Sequence, residues 1–210
     1  LAVIAYFLLL IIAFRFVDPP ISTLMAGHML SGKTLEQKWI PIEKISTHLA
    51  RAVITSEDST FCRHNGIDWQ EFRKVWSRQK QLSEIRGAST IPMQTMKNLF
   101  LWPGRNYIRK FFEFPLAYIS SWIWPKKRML EIYLNIAEWG PGIFGAEAAA
   151  RHHFKIRASQ INSRQAALLA ASLPNPIVRR AGKPGPRTRK MAAVVQKRAA
   201  SSGHITSCIR

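Results

Sequence analysis

The first fourteen residues, Leu1–Phe14, carry no charge and are rich in Leu, Ile and Phe, and Pro19-Pro20 closes the segment shortly after. A run this apolar has to be taken out of water, and proline stops a helix from continuing past it. A membrane-spanning helix needs about 20 apolar residues, more than this run supplies. The chain begins at Leu rather than Met, so the expectation is one transmembrane helix over 1–17, shortened at its N-terminal side. Phe16-Val17-Asp18-Pro19-Pro20 offers no small-residue cleavage site, which favours an anchor over a removable signal peptide.

Beyond that segment the helical period dominates. Ile45, Leu49, Val53 and Ile54 recur at three- and four-residue steps. Residues 68–86 read as a second amphipathic helix, and 87–100 as a loop entering a third. Residues 106–124 form a helical stretch crowded with Phe111, Phe112, Phe114, Tyr118, Trp122 and Trp124 among basic residues. That crowd fits either a packed core helix or an aromatic belt at a membrane–water boundary. Pro125 suits the first turn of a helix running to about Ala137, which Gly140-Pro141-Gly142 then breaks. Residues 147–154 and 163–173 are two further helices. Strand-like alternation is scarce, so the class is mainly α. The expected organisation is an anchor over 1–17, a polar connector over 18–38, one catalytic domain over 39–178 and a basic tail over 179–210. The two cysteines, Cys62 and Cys208, cannot form a disulfide framework, and with Cys208 in a fraying tail no bridge between them is expected.

Charge narrows the partner. The chain has 31 Lys and Arg against 12 Asp and Glu, a formal net charge of +19, and Glu147 is the last acidic residue. Such a balance calls for a polyanion, an anionic membrane surface or a phosphorylated substrate. The chain lacks a recognised nucleic-acid-binding motif, and an apolar anchor points away from that partner.

Two motif matches are decoys. Residues 27–34 fit the phosphate-loop pattern GxxxxGK[ST], but that loop works only between a buried strand and a helix, and Pro19-Pro20 and Pro41 flank it here. Ser77-Arg78-Gln79-Lys80 fits the SxxK motif of penicillin-binding transpeptidases, yet the partner motifs SDN and KTG are absent.

The informative series starts at Glu57. Glu57-Asp58 is followed by Phe61, His64 and Gly66, then Gly87-Ala88-Ser89-Thr90, Gln94 and Lys97-Asn98, then Arg109-Lys110 and Glu113, then Leu130-Glu131-x-Tyr133-Leu134-Asn135. Taken singly each is ordinary: Arg109 and Glu113, four apart, could be a surface helix pair worth about 0.2–0.5 kcal/mol. Together, in this order, they resemble the peptidoglycan glycosyltransferase family and its monofunctional biosynthetic transglycosylases, over roughly residues 39–176. The chain departs from the family pattern at Pro92-Met93, His153 and Gln165.

The resemblance implies a lysozyme-like, mainly helical domain with a small membrane-facing lobe. It implies lipid II as substrate, polymerised by inverting glycosyl transfer with loss of undecaprenyl pyrophosphate. Glu57 is then the base and Glu113 the second catalytic carboxylate. Lys97 and Arg109 bind the pyrophosphate, and Ser89, Gln94 and Asn98 hydrogen-bond the donor. No cofactor is demanded, although Glu113 leaves room for a divalent cation, Mg or Mn. The expected partners are lipid II, the growing lipid-linked chain, the membrane and other wall-synthesis proteins. The expected place is the inner membrane, single-pass, with the domain on its periplasmic or outer face. A glycan hydrolase on the same fold and an inactive membrane-tethered scaffold are the rival readings.

Overall fold

The computed structural model describes residues 2–79, 89–104 and 107–209. The helical class is as expected: the described residues form ten α-helices, most of them packed on one large core. The first, α1 (Ala2–Phe14), is a single apolar helix. Among the described residues no helix is long and apolar enough to cross a membrane. α1 lies against the domain: the Trp124 indole N–H donates to the Ile11 carbonyl at 2.6 Å, Arg128 reaches the carbonyls of Phe14 and Val17, and Ile11 is fully buried. Ile4, Tyr6, Leu9 and Ile12 on the remaining surface are exposed.

The expected connector is folded. α2 (Thr23–Leu30) is capped by the Ser22 hydroxyl, which accepts from the Met25 N–H, and Met25 is buried. The Thr23 hydroxyl donates to the Leu101 carbonyl at 2.6 Å, docking α2 on the end of the helix that carries much of the candidate site. Gly27–Leu30 form the end of α2, and the rest of the phosphate-loop match follows it. A helix C-terminus presents carbonyls rather than N–H groups, so this segment faces a phosphate with the wrong polarity. The chain then forms β1 (Glu36–Gln37), which pairs in parallel with β3 (Ile143–Phe144); β2 (Glu138–Gly140) pairs with β3 antiparallel. The Gly140-Pro141-Gly142 break is thus a hairpin turn. Gly142 has φ +73°, and a Cβ there would meet the Thr34 carbonyl oxygen at 2.3 Å, so the turn and the close approach both require glycine.

α3 (Thr47–Glu57) buries Leu49, Val53 and Ile54 completely, each burial worth about 1.5–3 kcal/mol. α4 (Trp69–Gln79) starts at Asp68, whose carboxylate accepts from the Glu71 N–H at 2.9 Å. The expected helix to Arg86 is described only this far; Lys80 of the SxxK match and Gly87-Ala88 lie outside the described residues. The Ser77 hydroxyl donates to the Lys74 carbonyl, a helix-surface contact. Next come α5 (Ile91–Phe100), α6 (Tyr107–Ile123), α7 (Lys126–Ile136), α8 (Ala146–Phe154) and α9 (Ser163–Ser172). The aromatic crowd on α6 divides: Trp124 just beyond it is buried, whereas Ile108, Phe111, Phe112, Tyr118 and Trp122 make an exposed stripe at helical spacing.

Residues expected as a basic tail hold α10 (Pro186–Ala200), which packs across α9 and α3. Its apolar seam is narrow, with Ala192 seated on Ala167 and Ala171. Small residues let the backbones approach closely, which explains why hydropathy alone misses this helix. The chain then turns back through Gly203–Ile209 and brings Cys208 to Cys62, with Cα atoms 5.5 Å apart and a disulfide between them. The absence of a bridge was the wrong expectation, because the folded α10 returns the chain end to the loop that follows α3.

Candidate active site

α3 ends at Glu57, and Asp58 leaves helical geometry as its C-cap. Asp58 is buried, and its carboxylate accepts from the Ile91 N–H at 2.9 Å and contacts His64 Nε2 at 2.9 Å. The Ile91 N–H is one of the unpaired donors at the start of α5, so a carboxylate there satisfies it and suits the helix dipole. Asp58 thereby ties the end of α3 to the start of α5. The Thr90 hydroxyl caps α5 through the Met93 N–H and donates back to the Gly66 carbonyl. Gly66 has φ +89° and sits against the Ala117 carbonyl, where a Cβ would approach to 2.5 Å. Phe61, His64 and Gly66 are therefore fastenings of the loop rather than reacting groups.

On that frame Gln94, Lys97 and Asn98 fall at i, i+3 and i+4, one face of α5. The Gln94 amide N–H donates to Glu57 Oε2 at 3.1 Å, and the Ser56 hydroxyl donates to Glu57 Oε1 at 3.3 Å. Burial pushes the Glu57 carboxyl above its ordinary pKa, and the Gln94 and Ser56 hydrogen bonds and the nearby Lys97 only partly offset this. Lys97 is pushed below the usual lysine range, first by burial, against the pull of Glu113 and with the repulsion of Arg109 and Lys110. Asn98 is part-buried, and its main-chain carbonyl accepts from the Thr23 hydroxyl.

α6 supplies the rest. Glu113 is 2% exposed, and each of its oxygens holds a cation: Arg109 at 2.7 Å on Oε1 and Lys110 at 2.9 Å on Oε2. Lys110 also donates to the Ser89 hydroxyl at 2.8 Å. The structure thus links Glu57, Gln94, Ser89, Glu113 and Arg109 through hydrogen bonds that run by way of Lys110, with Lys97 within range of the Glu57 and Glu113 charges and Asn98 on the same face of α5. A divalent cation on Glu113 does not fit this arrangement, since both oxygens are paired and Lys97, Arg109 and Lys110 already crowd the position with positive charge. Among the described residues, no group of three or more His, Cys, Asp and Glu side chains is arranged to hold a metal ion.

Two participants were not singled out as site residues from the sequence. Lys110 could have been: it lies three residues before Glu113, as Arg109 lies four before, so both reach one carboxylate. Tyr133 on α7 is fully buried, and its hydroxyl donates to Gln94 Oε1 at 3.1 Å; its position in the Leu130–Asn135 motif was the available signal. The residues at which the chain departs from the family pattern make structural contacts. Pro92 sits in the first turn of α5, where its missing N–H costs nothing, and Met93 is wholly buried in the core. His153 Nε2 donates to the Trp139 carbonyl at 2.9 Å while Nδ1 accepts from the Gly182 N–H, and Gln165 closes a capping box with Asn162.

Comparison with known proteins converges on one family. A family model described as Transglycosylase matches residues 25–200. A biosynthetic peptidoglycan transglycosylase of Agrobacterium fabrum (strain C58 / ATCC 33970) is 50% identical over 209 residues, covering 100% of this chain and 92% of the relative. One of Rhizobium meliloti (strain 1021) is 51% identical over 190 residues, 90% of this chain and 80% of the relative. One of Brucella suis biovar 1 (strain 1330) is 48% identical over 210 residues, 100% of this chain and 93% of the relative. With a family match over residues 25–200 and relatives at this identity over 80–93% of their length, the chain belongs to the transglycosylase family.

Proposed function

We propose that this chain polymerises lipid II into peptidoglycan glycan strands by inverting glycosyl transfer, releasing undecaprenyl pyrophosphate. The observation that carries the reading is the pairing, in one network, of a part-buried carboxylate with a raised pKa and a cluster of three cations. Glu57 accepts the proton of an acceptor sugar hydroxyl as that oxygen bonds to the anomeric carbon of the donor. The anomeric carbon–oxygen bond breaks, and its electron pair leaves with the lipid pyrophosphate. That leaving group is already a good anion and needs charge stabilisation more than a proton. Lys97, Arg109 and Lys110 supply it, with Glu113 holding Arg109 and Lys110 in place. Ser89, Gln94 and Asn98 flank the same face and orient the donor.

A hydrolase would also use a carboxylate base, but water attack on a glycan bond gives three clustered cations nothing to hold. An inactive scaffold has no use for the network at all. The exposed stripe of α6 and the exposed apolar residues of α1 support a domain lying on the membrane that carries the lipid substrate, with the segment around α1 as the anchor. The inner membrane, with the domain on its periplasmic or outer face, is the place this reading requires. The deciding assay incubates the full chain with labelled lipid II and runs the product on a gel with and without muramidase. A muramidase-sensitive ladder is the expected product; hydrolysis fragments or unchanged substrate would overturn the proposal.

A further inference from the structure

We infer that Tyr133 is a positioning residue for the reaction: its hydroxyl fixes which end of the Gln94 amide faces Glu57, and so keeps a hydrogen-bond donor on the base. This rests on the reading of Glu57 as the general base. The hydroxyl of Tyr133 donates to Gln94 Oε1 at 3.1 Å, and Gln94 Nε2 donates to Glu57 Oε2 at 3.1 Å and reaches the Ser89 carbonyl at 3.4 Å. A primary amide is nearly symmetric in shape but not in function, with donors at one end and an acceptor at the other. Glu57 and the Ser89 carbonyl need a donor, whereas the phenol hydroxyl supplies one. The three partners together admit a single orientation of the amide.

Tyr133 suits this part because it stays a donor. It is fully buried on α7, and burial, followed by the Glu57 and Asp58 carboxylates, raises its pKa well above that of an ordinary phenol. The same burial that gives the base its proton affinity would hold it protonated without donors to stabilise the carboxylate. Against that burial, the Gln94 hydrogen bond does most to lower the Glu57 pKa; the Ser56 hydrogen bond and the charge of Lys97 add to it, while Asp58 raises it. The charged groups around Glu57 are thus Asp58 on its own loop, Lys97 on α5 and, behind Lys97, Arg109, Lys110 and Glu113 on α6. Tyr133 adds no charge to this set. It acts through one amide.

Removing the hydroxyl leaves Gln94 Oε1 without its donor and the amide held from one end only, so the hydrogen bond that Gln94 gives to Glu57 loosens. The base then holds its proton to higher pH. Turnover of labelled lipid II by the full chain, measured across pH for wild type and Tyr133→Phe, reads this directly. The expected result is an acid limb of kcat moved up by about one pH unit, a roughly tenfold loss on that limb, with KM unchanged and kcat approaching wild type above it. Gln94→Leu should move the limb the same way, and the double variant should move it no further than Gln94→Leu alone. A packing defect would instead lower kcat equally at every pH and lower the melting temperature. An acid limb left in place in Tyr133→Phe, or additive shifts in the double variant, overturns the inference. Glu57→Gln, assayed alongside, separates the two failures: if it retains turnover the base assignment is what fails, and if it is inactive while Tyr133→Phe keeps the wild-type limb, the positioning role alone falls.

Discussion

The two glutamates of the site are both withdrawn from water, yet they are held in opposite ways. Glu113 has a cation on each oxygen, at 2.7 and 2.9 Å, and its charge is neutralised where it sits. Glu57 has an amide and a hydroxyl, at 3.1 and 3.3 Å, and among the described residues no cation touches it. A carboxylate held by two cations makes a good clamp. One that is buried with only neutral donors is a poor resting anion and a good base. On the proposed reading the same residue type thus takes two roles from its surroundings, and the family motifs, which record only the letter E, do not distinguish them.

The most direct way to break this contrast is to neutralise each glutamate in turn. Glu57→Gln removes the proton acceptor, so kcat should fall by about 10²–10⁴-fold while the fold survives; turnover of labelled lipid II checks it, and near-normal rates would take the base role away from Glu57. Glu113→Gln should act first on stability. It leaves Arg109 and Lys110, both largely buried, sharing one neutral amide beside Lys97, and breaking such a pair costs about 3–5 kcal/mol. Denaturant unfolding would show it, and an unchanged midpoint would mean that the cations are solvated rather than clamped. Turnover should fall as well, because the cations proposed to hold the pyrophosphate lose their fixed positions.

A smaller effect sharpens the cation side. Arg109→Lys keeps the charge but loses the planar guanidinium, which holds Glu113 and, on the proposed reading, a phosphate oxygen from one fork. Loss of one charge-assisted hydrogen bond in the transition state predicts a kcat about tenfold lower, with a melting temperature close to wild type. If Arg109 were only a helix-surface partner of Glu113, the substitution would be almost silent in both measurements.

How far these roles could be read from sequence follows from the distance over which each is set. Glu57, Lys97 and Arg109 sit in short motifs whose order is legible, and the i, i+3, i+4 spacing of Gln94, Lys97 and Asn98 puts them on one helix face without a structure. α3, α8 and α9 are equally legible, because their apolar residues repeat at the helical period. The contacts that tell the two glutamates apart are not local. Gln94 meets Glu57 across 37 residues, and Tyr133 meets Gln94 across 39. The bridge between Cys62 and Cys208 spans 146, and it exists only because α10, with a seam of alanine rather than leucine, folds back over α9. Hydropathy registers large side chains, so a helix packed through small ones reads as a tail.

The subtlest test asks whether Glu57 is strained in the resting protein. Its pKa in the folded state is raised above the unfolded value, chiefly by burial. A carboxyl of this kind favours folding when protonated, and that favour is fully present below the unfolded pKa of about 4.3 and lost as pH rises through the folded pKa. At neutral pH, then, the ionised Glu57 costs stability, and Glu57→Gln should recover it, because glutamine keeps the shape and carries no charge to bury. The expected gain is about 2 °C in melting temperature near pH 7, shrinking to nothing below about pH 4. Glu113→Gln should show the reverse at neutral pH, a clear loss, since there the charge is what holds the neighbours. Melting curves of both variants at the two pH values test the contrast without any substrate. If Glu57→Gln is destabilised at neutral pH as Glu113→Gln is, Glu57 is a structural anion like its counterpart, and the difference on which its role as base depends disappears.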